Sequence, residues 1–129
     1  MTLSAIIVYL AIWTVLLTFP GTIALMMAGG LKIGFYNRDD VPELPAWGGR
    51  ALRAHRNMIE NLPVFLALVL AAQIAQAPQV PVLLGATIFL WARIAHGVLY
   101  IAGVPYLRTV AFVVSIGGLV RIAAAVLGV

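Results

Sequence analysis

The sequence predicts an all-α integral membrane protein, a four-helix bundle of up-down topology. Three observations predict it. Of 129 residues 64% are apolar and only 9% charged, with a mean hydropathy of +1.09, whereas a soluble domain of this size carries about 25% charged residues. The apolar residues gather into four stretches, each long enough or extendable enough to reach the ~20 residues that cross a bilayer. None alternates with the period of two that marks a barrel strand, and in lipid an isolated segment meets its own backbone hydrogen bonds only as a helix. The length suits a single domain, residues 1–129.

The first span covers about residues 3–31, interrupted by Pro20-Gly21. No lysine or arginine precedes Lys32 and no cleavage signature follows the run, so a retained span is expected rather than a signal peptide. A polar loop rich in proline and glycine follows, from Asn37-Arg38-Asp39-Asp40 to Trp47-Gly48-Gly49. The apolar part of the second span, Leu62 to Gln76, is too short alone, so its helix must begin in the polar segment Arg50–Glu60, giving a span of about 50–77. Inside it Pro63 frees the carbonyl of Ile59 and favours a kink one turn beyond Glu60. The third and fourth spans cover about 80–104 and 107–129.

Loop charges orient the bundle. Lys32, Arg38, Arg50, Arg53 and Arg56 lie between spans one and two and Arg108 between three and four, while the other connection and both ends hold no lysine or arginine. The positive-inside rule then puts both termini away from the cytoplasm. Without cysteine, no disulfide, thiolate metal site or cysteine nucleophile is available. The net charge of +4 comes from eight basic residues in a largely apolar chain, so the lipid bilayer and no nucleic acid is the expected partner.

Charges at membrane depth face a bundle interior or water. In the second span Arg50, Arg53, Asn57 and Glu60 follow spacings of three and four and share one helical face. Arg56 and Glu60, four apart, suit a pair along the helix. In the third span Arg93, His96 and Tyr100 again share a face, and Arg108 opens the fourth. Antiparallel spans bring the two stripes to similar depth in the cytoplasmic half, which predicts one polar pocket. Several guanidinium forks match carboxylates, and a lone carboxylate among them suits an ammonium. Glutathione has that complement, as do other amino-acid-like anions and a phospholipid headgroup. His55 lies off the stripe, and His55, Glu60 and His96 lack a zinc-like spacing, so no metal site is expected. Arg50 and Arg53 also suit headgroup anchors, and Arg121, far from Arg108, suits a structural role. Gly117-Gly118 and Ala123-Ala124-Ala125 suit close helix packing.

The run Leu52-Arg53-Ala54-His55-Arg56-Asn57-Met58-Ile59-Glu60-Asn61-Leu62-Pro63-Val64-Phe65 resembles the signature of the MAPEG family, membrane-associated proteins in eicosanoid and glutathione metabolism. Arg93-Ile94-Ala95-His96-Gly97-Val98-Leu99-Tyr100 resembles its second element, and Arg108-Thr109 stands where the family has an arginine-serine pair. The likeness is to the microsomal glutathione transferase and prostaglandin E synthase type, in the short form of a bacterial member.

The resemblance implies a homotrimer in a bacterial inner membrane, termini periplasmic, holding glutathione between subunits toward the cytoplasmic side. Arg56, Asn57 and Glu60 would contact it, Glu60 at the α-amino group, with Arg53 in support. His96, Tyr100 and Arg93 would meet its carboxylates and backbone. Arg108 would stabilise the thiolate, with Thr109 as hydroxyl donor and Lys32 in place of an arginine late in the first helix. The activity implied is that of a glutathione transferase or peroxidase acting on lipophilic electrophiles or hydroperoxides. A non-catalytic lipid- or ligand-binding relative is the alternative, and a small proton-coupled exporter, built around a buried glutamate, is a more distant one.

Overall fold

The computed structural model describes residues 1–35, 37 and 41–129. Arg38, Asp39 and Asp40, which entered the reading of the first loop and of its charge, lie outside the described residues. The described chain forms α1 (Leu3–Leu16), α2 (Thr18–Gly29), a short 3-10 turn (Leu31–Gly34), α3 (Ala46–Ile74), α4 (Gln79–Ala102) and α5 (Pro105–Leu127). Four segments are long and apolar enough to cross a membrane: α1 with α2 as Leu3–Gly29, then α3, α4 and α5.

Thr2 caps α1, its Oγ1 accepting from the Ala5 N–H at 3.3 Å. The expected interruption near Pro20 is present but falls at Leu17, because Pro20 has no N–H for the carbonyl of Leu16. Thr18 Oγ1 donates to the Val15 carbonyl at 2.7 Å beside the break, which serves a backbone acceptor that lipid cannot. Leu17 keeps helical angles, so α1 and α2 continue as one span. It ends at Gly30, whose φ of +74° leaves the helical region, two residues before Lys32.

α3 starts at Ala46 behind Pro45, four residues earlier than Arg50, and continues unbroken through Pro63. The early start carries the whole polar stripe on one helix. α4 stops where Gly103 turns left-handed at φ +81°, with Gly103 and Val104 both donating to the Leu99 carbonyl at 3.0 Å. Pro105 then stands in the first turn of α5, where its missing N–H costs nothing.

α4 and α5 make the most extensive helix pair. Their backbones touch: a Cβ on Gly85 would lie 2.7 Å from the Gly118 carbonyl oxygen, and one on Gly118 would lie 2.7 Å from that of Gly85. Between membrane helices such close packing replaces the hydrophobic drive that lipid removes. Phe65 of α3 stacks on Phe89 of α4, centroids 4.7 Å apart, and Ile6 and Leu10 of α1 close the core against them. The outward faces carry large apolar residues, among them Val8, Ile12, Val15 and Phe19 on the first span.

Candidate functional site

The polar residues gather toward the end of the bundle that holds the start of α3 and the α4–α5 turn. Arg50, in the first turns of α3, donates from Nε to the Ile101 carbonyl at 3.0 Å. Its guanidinium fills the space over Gly103, where a Cβ would meet Arg50 Cζ at 3.1 Å. Arg50 therefore locks the α3 amino end to the α4 carboxyl end. Nothing in the sequence pairs Arg50 with Ile101, because the acceptor is a backbone oxygen left free by helix termination.

Two turns further along α3, Asn57 meets α4. Arg93 Nη2 donates to Asn57 Oδ1 at 2.9 Å, and the Asn57 carbonyl accepts from Asn61 Nδ2 at 2.8 Å. Arg93 is only 1% exposed, and its Nε and Nη1 have no hydrogen-bond partner among the described residues. Buried polar groups without partners are rare and costly. Asn57, itself half-buried, is thus Arg93's one side-chain hydrogen-bond partner among the described residues.

On α4 and α5 an aromatic and cationic cluster follows. His96, 4% exposed, lies edge-on to Tyr100 at 5.4 Å between centroids and 5.9 Å from Phe112. Arg108 Cζ sits 4.2 Å above the Tyr100 ring, a cation–π distance. Phe112 was not among the expected residues, although its position four after Arg108 puts it on the same face of α5. Thr109 is exposed, and its Oγ1 donates back to the Pro105 carbonyl at 3.1 Å.

The structure brings Asn57 to Arg93, and Arg108 to Tyr100 and His96. It does not draw Arg53, Arg56 and Glu60 into the bundle: all three are exposed along α3. Arg56 and Glu60 do not pair, since no ion pair within 4.0 Å forms among the described residues. Lys32 is exposed in the 3-10 turn, outside the helical span. His55 is half-buried, and Arg121 is exposed on α5.

Four bilayer-length helical segments with a cationic, aromatic cluster at one end and an exposed charged row beside it mark an integral membrane protein with its polar residues gathered at one end of the bundle. The model of the MAPEG family matches residues 3–128, nearly the whole chain, and the protein belongs to that family. No match to the chain is found among curated proteins.

Proposed function

We propose that this MAPEG protein is a homotrimeric glutathione transferase or peroxidase, binding glutathione at the boundary between subunits and activating its thiol toward lipophilic electrophiles or hydroperoxides. One observation carries the reading. Arg53, Arg56 and Glu60 lie exposed in a membrane-spanning helix, while Asn57, in the same turns, is held by an enclosed Arg93 beside the His96–Tyr100–Arg108 cluster. A charged row left facing hydrocarbon is expensive. A second subunit laid against that side would enclose it and create a polar site between copies, and repeating the contact around a threefold axis closes the assembly.

The donor set fits glutathione. Arg53 and Arg56 offer forks to its carboxylates, and Glu60 offers the one carboxylate of α3, among the described residues, to an ammonium. Asn57, oriented by Arg93, is left with its amide N–H groups to donate. His96 and Tyr100 line the adjoining wall. When bound, glutathione supplies the thiol. Arg108 supplies positive charge in a partly dry site, which favours the thiolate over the thiol. Thr109 must turn from the Pro105 carbonyl before its hydroxyl can donate elsewhere.

In the same reading the chain runs up and down through the membrane with both termini away from the cytoplasm, in a bacterial inner membrane. Arg50 and Arg108 gather at the α4–α5 turn, which supports a cytoplasmic placement of that end.

The test is thiolate difference absorbance of the detergent-solubilised protein titrated with glutathione. A saturable signal at neutral pH, lost in Arg108→Ala, is expected. Calorimetric binding without that signal would overturn activation and leave a binder; absence of both would overturn the glutathione reading.

A further inference from the structure

A backbone carbonyl that its own helix cannot serve ties α3 to the α4–α5 turn. A helix end leaves its last four carbonyls without partners inside the helix, and in α4 these belong to Leu99, Tyr100, Ile101 and Ala102. The turn serves two of them itself. Gly103 and Val104 donate to the Leu99 carbonyl at 3.0 Å, and the Gly103 N–H is shared with that of Tyr100 at 3.2 Å. Ile101 is served from 51 residues away, by Arg50 Nε at 3.0 Å.

Arg50 also occupies the turn physically. A Cβ on Gly103 would meet Arg50 Cζ and Nε at 3.1 Å and Nη2 at 3.4 Å, so the guanidinium lies on the residue that turns left-handed. A cation at that place faces the negative end of the α4 dipole. The chain on either side of Gly103 carries the Arg108–Tyr100 pair. Tyr100 stands three residues before it in the last turn of α4. Arg108 stands five residues after it in the first turn of α5, its N–H donating to the Val104 carbonyl at 3.3 Å. The 4.2 Å contact of Arg108 Cζ with the Tyr100 ring thus bridges a two-residue turn, Gly103-Val104, which Arg50 grips from α3. Rotation at Gly103 swings the start of α5 against the end of α4 and carries Arg108 off the ring.

We propose that Arg50 is a positioning residue for thiol activation: through the Ile101 carbonyl and Gly103 it holds the α4–α5 turn in the conformation that sets Arg108 over Tyr100. This role rests on the glutathione reading above, in which Arg108 stabilises the thiolate. Arg50 acts without touching glutathione: its Nε is committed to backbone, and it precedes Asn57 by two turns, about 10 Å along α3.

The test has two readouts on the detergent-solubilised protein, and the first needs no glutathione. With 3-fluorotyrosine in place of tyrosine, the Tyr100 fluorine resonance is assigned by its loss in Tyr100→Phe, and its response to the guanidinium by its shift in Arg108→Ala. Arg50→Met is expected to move it in the same direction. Arg50→Lys, which keeps a cation and a donor for the Ile101 carbonyl, returns it most of the way. An unchanged Tyr9 resonance, from α1, shows that the variant is folded; Arg50→Gln gives the same direction of shift where Arg50→Met is too unstable to purify. The second readout is thiolate absorbance at saturating glutathione and neutral pH. It is expected to fall about fivefold in Arg50→Met, the equivalent of one hydrogen bond, with affinity lowered less and Arg50→Lys near the parent. A Tyr100 resonance unmoved by loss of Arg50 overturns the proposal, whatever the thiolate does. So does a moved resonance with an unchanged thiolate signal, and so does lost affinity with full signal at saturation, which makes Arg50 a ligand contact. No thiolate signal in the unaltered protein, with the resonance still moved by Arg50→Met, overturns the glutathione reading and upholds the link from Arg50 to Arg108.

Discussion

Arg93 and Asn57 are joined across the α3–α4 interface by a 2.9 Å bond from Nη2 to Oδ1, and the guanidinium end of that bond is sealed inside the bundle. Arg93 therefore fixes which way the Asn57 amide points without itself reaching the bundle surface.

From this follows a coupling. Arg93→Met and Asn57→Ala are each expected to weaken glutathione binding about tenfold, and the double variant no further than either alone. The shared bond makes their effects non-additive, by about 1.4 kcal/mol, one tenfold factor. Calorimetry on the four proteins checks it; additive losses would mean that the two residues act separately.

Arg108 over Tyr100 makes a second prediction. Tyr100→Phe keeps a ring face beneath the guanidinium, while Tyr100→Leu removes it. A cation–π contact of about 0.5–1 kcal/mol predicts a thiolate signal two- to fivefold weaker in the leucine variant at neutral pH, with the phenylalanine variant near the parent. Arg108→Ala is expected to abolish the signal while lowering affinity less. Equal loss in both Tyr100 variants would assign the role to the hydroxyl instead.

The exposed row on α3 is testable without reference to catalysis. Glu60→Ala and Arg56→Ala should each weaken glutathione binding, and unchanged affinity in both would remove these residues from the site. Crosslinking of the membrane-embedded protein should yield trimers; a ladder ending at dimers would exclude the threefold assembly.

Adjacent glycines on α5 should behave differently. Gly118→Val places side-chain atoms against the backbone of α4, which meets a Cβ at 2.7 Å, whereas a Cβ on Gly117 meets nothing within 4 Å. Overpacking of this kind costs about 1–3 kcal/mol. Thermal unfolding in detergent should show a clear fall for Gly118→Val and almost none for Gly117→Ala.

The spans were legible because they answer to one local requirement, enough consecutive apolar residues to cross the bilayer. Their ends were less so. α3 begins at Ala46 rather than near Arg50 because helical backbone extends through Gly49, Gly48 and Trp47 up to Pro45, and neither hydropathy nor the loop-like Gly-Gly pair marks that boundary. The first span ends at Gly30 because of that residue's backbone angle, not because apolar residues run out: Leu31 follows it. The polar stripe on α3 was legible from spacing, since helical period alone decides which residues share a face.

Spacing could not decide which way the stripe looks. Arg93 and His96 turned inward while Arg53, Arg56 and Glu60 stayed outside, a division set by how α3 and α4 rotate against each other. So the sequence by itself determined the membrane class, the four spans, the shared faces and the family resemblance, all of which depend on residues near one another in the chain. Tertiary structure alone decided that Asn57 binds Arg93 and that Arg50 caps α4 through Ile101. Both depend on how α3 and α4 rotate against each other, and packing between distant segments leaves no periodic trace in either one.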